Sequence, residues 1–146
     1  MISNACRYAL RAMIYLAINE PAETMIGIRQ ISADLSIPQP FLSKILQQLA
    51  KNKLLFSSKG PNGGFMLAKP AETITIMDIV TIIDGADFFE TCLIGLGHCT
   101  DNEEYAHCPI HEDYGPIRSQ LKLLFENRTL GQLAQEIIKS KGSKRI

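Results

Sequence analysis

The sequence predicts a mainly α-helical chain carrying one small β-hairpin. Three observations predict it. Apolar residues recur at helical spacing over residues 4–18, 38–52 and again beyond 75. Two short apolar segments flank the turn Lys59-Gly60-Pro61-Asn62-Gly63-Gly64. Two threonines, Thr75 and Thr129, stand where helix starts need a cap. Of the 146 residues, 46% are hydrophobic and 21% charged, so the chain has the apolar material for a core and is not a disordered polymer. That length suits one compact domain, or a small domain with a dimerising extension.

The first helix, over residues 4–18, carries Tyr8, Ala9, Ala12, Met13, Leu16 and Ala17 on one broad face and Leu10, Ile14 and Ile18 on a second stripe. Such a helix is buried on most sides. Pro21 stops it. A short helix follows at Ile28–Leu35, then a turn at Ser36-Ile37, then a helix from Pro38 to Asn52 whose prolines at 38 and 40 fall in its first turn. Its expected core face is Phe41, Leu42, Ile45, Leu46 and Leu49; the opposite face is Gln39, Ser43, Gln47 and Lys51, with Lys44 on the flank. Two helices joined by a tight turn, the second polar and basic outside, form a helix-turn-helix pattern.

Leu54-Leu55-Phe56-Ser57-Ser58 reads as a strand and Phe65-Met66-Leu67 as its return. A hairpin directly after the second helix is a wing: its glycines permit close approach to a phosphate backbone, and Lys59 adds charge. Thr75-Ile76-Met77-Asp78 is a capping box with Asp for the usual Glu or Gln, opening a helix that ends at Gly85. Helical periodicity is then lost over 86–115, which holds Cys92, Cys99 and Cys108 and all three histidines. It returns at Pro116, where Ile117, Leu121, Leu124 and Phe125 form a stripe on an otherwise polar helix. Thr129 to Gln132 starts a last helix, and the basic tail from Lys139 to Ile146 is expected to fray. The predicted organisation is a DNA-binding winged helix-turn-helix at 1–85, a cysteine-containing sensor loop at 86–115, and a long dimerisation helix with a C-terminal helix at 116–146.

Net charge is zero but unevenly spread. Residues 1–70 hold eight Lys/Arg against three acids, and residues 71–146 hold seven against twelve, giving +5 and −5. A basic half and an acidic half fit a DNA-facing module joined to a regulatory one. The start of the chain lacks an apolar run with a cleavage site, and no apolar stretch approaches the ~20 residues of a membrane span, so a cytoplasmic protein with no membrane partner is expected. No GxGxxG or GxSxG motif is present, which argues against an enzyme. A protein-interaction module built on an inert winged helix would carry a more apolar second helix.

With Arg7-Tyr8-Ala9-Leu10-Arg11-Ala12, Phe41-Leu42-Ser43-Lys44-Ile45-Leu46, Lys59-Gly60-Pro61-Asn62-Gly63-Gly64-Phe65, the spaced cysteines and Asn127-Arg128-Thr129-Leu130 in view, the chain resembles the Rrf-type winged helix-turn-helix transcription regulators, the IscR- and NsrR-like group. The resemblance covers residues 3 to 138. It implies a homodimer joined through the helix at 116–126, and double-stranded DNA as partner. It implies major-groove contacts by Gln39, Pro40, Ser43 and Lys44, and wing contacts by Lys59 and Gly60. Members often carry Arg where this chain has Lys59, which lacks the planar fork of a guanidinium.

The resemblance also makes Cys92, Cys99 and Cys108 ligands of an iron–sulfur cluster. Six residues separate the first two, eight the next two, and His111 follows after two more. Thiolates are soft ligands suited to such clusters or to zinc, and a thiol switch without metal is the remaining option. The fourth ligand varies among members. His111 ranks first here, Cys6 second, His98 or His107 third; the carboxylate that some members supply from the partner's first helix falls near Arg7, which cannot ligate.

Overall fold

The computed structural model describes residues 2–19, 24–94 and 109–141. Six α-helices and one two-stranded antiparallel sheet are present among them: α1 (Asn4–Ile18), α2 (Ile28–Leu35), α3 (Gln39–Lys51), β1 (Leu55–Ser58), β2 (Gly64–Leu67), α4 (Ile76–Asp84), α5 (His111–Asn127) and α6 (Leu130–Lys141), with 3₁₀ turns at Ala71–Thr73 and Ala86–Phe89. This is the mainly helical, winged architecture that the pattern predicts.

Helix α1 is the axis of the domain. Ser3 caps it, its Oγ accepting from the Cys6 N–H at 3.0 Å. Eight of its residues are buried, because α2, α3, α4, α6 and β2 all pack around it. Two bonds fix α1 to the end of α2: Arg11 donates to the Leu35 carbonyl at 2.6 Å, and Tyr15 Oη donates to Asp34 at 2.6 Å. Burial, then the Asp34 carboxylate, pushes the Tyr15 hydroxyl up to about 12, so it stays a donor.

Helices α2 and α3 end in the same way. After α2, Ser36 turns left-handed (φ 53°) and the Ile37 N–H reaches the Ser32 carbonyl; after α3, Lys53 does the same (φ 62°) and the Leu54 N–H reaches Leu49. Both are Schellman turns without glycine, each followed by a buried apolar anchor, Ile37 or Leu54. Burial of those anchors offsets the roughly 1–2 kcal/mol that a left-handed non-glycine residue costs.

The hairpin pairs Leu55 with Leu67, Phe56 with Met66, Ser57 with Phe65 and Ser58 with Gly64. Ile26 joins it from the other side: Ile26 N–H donates to Phe65 O at 3.0 Å and Phe65 N–H to Ile26 O at 2.9 Å. Both predicted capping boxes form, Thr75 with Asp78 and Thr129 with Gln132. They also lie side by side, because the Ile76 N–H donates to Arg128 O and the Leu130 N–H to Ile74 O. The starts of α4 and α6 are therefore joined by backbone.

Most apolar residues form one core around α1, α2, α3 and the hairpin. A smaller cluster of Cys6, Val80 and Phe89 sits under α5, with Leu121 and Phe125 packed on it and the Phe89 and Phe125 rings edge to face at 5.6 Å.

Three expectations need correction. Phe41 is not in the core: it sits on the flank of the apolar face of α3, at the first turn, and its side chain is 63% exposed. Helix α5 opens at His111, ahead of Pro116, because the missing N–H of Pro116 removes only one bond close to the helix start; the Tyr114 N–H already bonds Ile110 O at 2.8 Å. His111 thus belongs to the helix and not to the loop. Helix α6 runs to Lys141, two residues into the segment expected to fray; residues 142–146 lie outside the described residues.

Candidate nucleic-acid interface and sensor site

The exposed face of α3 and the tip of the hairpin carry the residues expected to meet DNA. Gln39, Pro40 and Lys44 are exposed on α3 and Ser43 is half-buried. Gln47 Nε2 donates to Ser43 Oγ at 3.3 Å, which leaves the Ser43 hydroxyl its own hydrogen to donate. The opposite face, Leu42, Ile45, Leu46 and Leu49, is buried and holds α3 rigidly.

At the wing, Lys59 and Gly60 are exposed. Gly60 has φ 102° with open space around it, so within this chain the turn conformation and not crowding calls for glycine there. Gly64 is different: a Cβ there would run into the Ile26 carbonyl oxygen and come within 2.9 Å of the Gly27 nitrogen. It lets the chain before α2 close onto the wing. Between the start of α2 and the wing lies a cleft of about 460 Å³ lined by Gly27, Ile28, Arg29, Ser58, Gly60 and Pro61 among others. Arg29 is exposed there, a cation that the sequence alone gave no reason to single out.

Of the residues expected to hold a cluster, Cys92 and His111 are described; Cys99 and Cys108, with His98 and His107, lie outside the described residues. Cys92 is buried just beyond the 3₁₀ turn Ala86–Phe89, which packs on α4 and α5. His111 is half-buried at the first position of α5. Arg118 stands seven residues after His111, hence on the same helix face; its guanidinium lies 5.9 Å from the Tyr114 ring, and its Nη1 is buried without a hydrogen-bond partner among the described residues. Cys6 is fully buried beneath Val80 and Phe89, and burial first, then Asp84, pushes its thiol up to about 12. It is a protonated core residue. Among the described residues no three His, Cys, Asp or Glu side chains gather in the manner of a metal site.

Three hydrogen bonds tie the end of α4 to α3 and to the start of α1. Gln48 on α3 donates to the Ile82 carbonyl in the last turn of α4 at 2.7 Å. Asp84, the last residue of α4, accepts from both the backbone N–H (2.9 Å) and the hydroxyl of Ser3, the cap of α1. The carboxylate thereby sits at the positive end of α1.

Residues 2–136 match the model of the family Rrf2, described as iron-dependent transcriptional regulators. The chain belongs to the Rrf2 family. An Aquifex aeolicus protein named only as an HTH-type transcriptional regulator is 35% identical over 133 residues, covering 91% of this chain and 90% of that one. Escherichia coli IscR is 30% identical over 138 residues, 93% of this chain and 82% of IscR. The structure of CymR, the global cysteine regulator of B. subtilis, superposes with a TM-score of 0.77 over 93% of this chain and 97% of CymR at 24% identity, a likeness of fold. Like its Rrf2 relatives this chain is a DNA-binding transcription regulator and not an enzyme. No helix among the described residues is long and apolar enough to cross a membrane.

Proposed function

We propose that this Rrf2 regulator works as a homodimer in the cytoplasm and senses redox, nitric oxide or iron–sulfur status through a cluster held by Cys92, Cys99, Cys108 and His111. The observation that carries the reading is the buried Nη1 of Arg118, which has no hydrogen-bond partner among the described residues and lies on the same face of α5 as His111. A buried cationic donor without a partner is costly, and an anionic group beside it removes the cost. A cluster ligated by three thiolates is such a group, and the soft sulfur donors suit it. When bound, the cluster supplies electron exchange and reactivity toward small oxidants. The protein's own part is to hold Cys92 and His111 on packed elements, with the 3₁₀ turn against α5 through Phe89 and Phe125. Cys6, buried and protonated, is set aside as a ligand.

In this reading Gln39, Pro40, Ser43 and Lys44 enter the major groove, while Lys59, Gly60 and Arg29 meet the backbone beside the wing. Ile117, Leu123 and Leu124 of α5 are 61%, 57% and 51% exposed, an apolar surface that a second copy covers. Displacement at Cys92 passes to α4, and through Gln48 and Ser3 to α3 and α1. It thereby alters the spacing of two recognition helices that must sit about one DNA turn, ~34 Å, apart.

The test is an absorption spectrum of protein purified without oxygen, with iron and sulfide assayed on the same sample. The expected result is a broad visible band with both elements present, lost in His111→Ala and kept in Cys6→Ser. A colourless protein that resists reconstitution overturns the cluster and leaves zinc or a bare thiol switch.

A further inference from the structure

Phe41 is the feature of the DNA-binding face that the contacts above do not use. Its neighbours Leu42 and Leu46 are fully buried, yet its own ring is 63% exposed. The two ring pairs found among the described residues, Phe88 with Phe89 and Phe89 with Phe125, do not involve it. It stands in the first turn of α3, beside exposed Gln39 and Pro40 and three residues before Lys44. Its backbone is fixed there, the Phe41 N–H donating to Pro38 O at 3.1 Å.

The first turn of the second helix is the part of a helix-turn-helix that reaches base edges. Most groups on the major-groove floor are hydrogen-bond donors or acceptors, and the C5-methyl of thymine is the one apolar substituent that projects into it. A phenyl ring set against a cytosine amine or a guanine oxygen would strip water from it and return no hydrogen bond. Against a thymine methyl, the same ring buries apolar surface on both sides.

We infer that Phe41 is a specificity-determining residue that reads a thymine methyl group in each half-site. The inference rests on α3 being the groove-entering helix.

The experiment begins with selection of bound duplexes from a random pool by the full-length protein. Each thymine of the enriched site is then replaced by deoxyuridine, which keeps its pairing but lacks the methyl. Losing one buried methyl weakens wild-type binding about fourfold, and roughly fifteenfold when both half-sites are substituted. Phe41→Ala should bind the thymine and deoxyuridine duplexes equally, and Phe41→Leu should keep part of the difference. Because the ring is exposed, neither variant should move Tm by more than about 2 °C. If no single deoxyuridine weakens the wild type, or if Phe41→Ala keeps the full penalty, the assignment of Phe41 is overturned while DNA reading by α3 stands. A pool from which no sequence is enriched overturns the groove-entry reading itself.

Discussion

Replacing Gly64 with Ala should dislodge the wing. Gly64 has φ 152°, and the added Cβ would collide with the Ile26 carbonyl and press on the Gly27 nitrogen, both backbone atoms that cannot rotate away. Relief requires Ile26 and the hairpin to separate, which breaks the two Ile26–Phe65 hydrogen bonds of 3.0 and 2.9 Å. Each contributes about 1 kcal/mol net, and the positive φ adds roughly 1 kcal/mol for a residue with a Cβ. The expected loss is about 3 kcal/mol, or roughly 10 °C in Tm for a chain of this size. DNA affinity should fall by about tenfold or more as the wing moves. Gly60→Ala is the matched control: its φ of 102° carries strain, but nothing lies within 4 Å of the new methyl, so about 3 °C is expected. Thermal unfolding followed by circular dichroism, with fluorescence anisotropy on DNA, measures both. A Gly64→Ala protein melting within about 2 °C of wild type, or a Gly60→Ala protein falling as far, would refute the steric reasoning.

Two further outcomes are expected. Lys59→Ala should weaken DNA binding and flatten the dependence of log affinity on log salt by about one unit per protomer, as loss of one phosphate contact requires; an unchanged slope measured across several salt concentrations removes Lys59 from the interface. Ile117→Asp with Leu124→Asp should leave the fold intact but shift light scattering from dimer to monomer, because an unpaired charge in a covered apolar face costs about 3 kcal/mol or more; a dimer persisting at micromolar concentration places the interface elsewhere.

The local code of this chain is unusually explicit. Thr75 with Asp78 and Thr129 with Gln132 mark two helix starts because a cap and its partner are three residues apart in the chain itself. The 3.6-residue spacing of Leu42, Ile45, Leu46 and Leu49 gives the buried face of α3, and by subtraction the polar face that carries Gln39, Ser43 and Lys44. The end of α2 was legible as a turn, but neither it nor the end of α3 was legible as a Schellman cap, since Ser36 and Lys53 carry no glycine signal.

The order of elements, the winged helix-turn-helix and the candidate DNA-facing residues were therefore readable from the chain, all set by interactions among residues a few positions apart. Tertiary structure alone decided four things. It left Phe41 in solvent, because a residue on the flank of an apolar stripe is covered only if a neighbouring element reaches it. It pressed Ile26 onto Gly64, a contact between distant positions with no local signature. It linked Gln48 to Ile82 and Ser3 to Asp84, so that α4 is tied to both α3 and the start of α1. It also carried α5 back past Pro116 to His111, because the Pro116 nitrogen forfeits a single hydrogen bond while the turn before it closes through the Tyr114 N–H on Ile110 O.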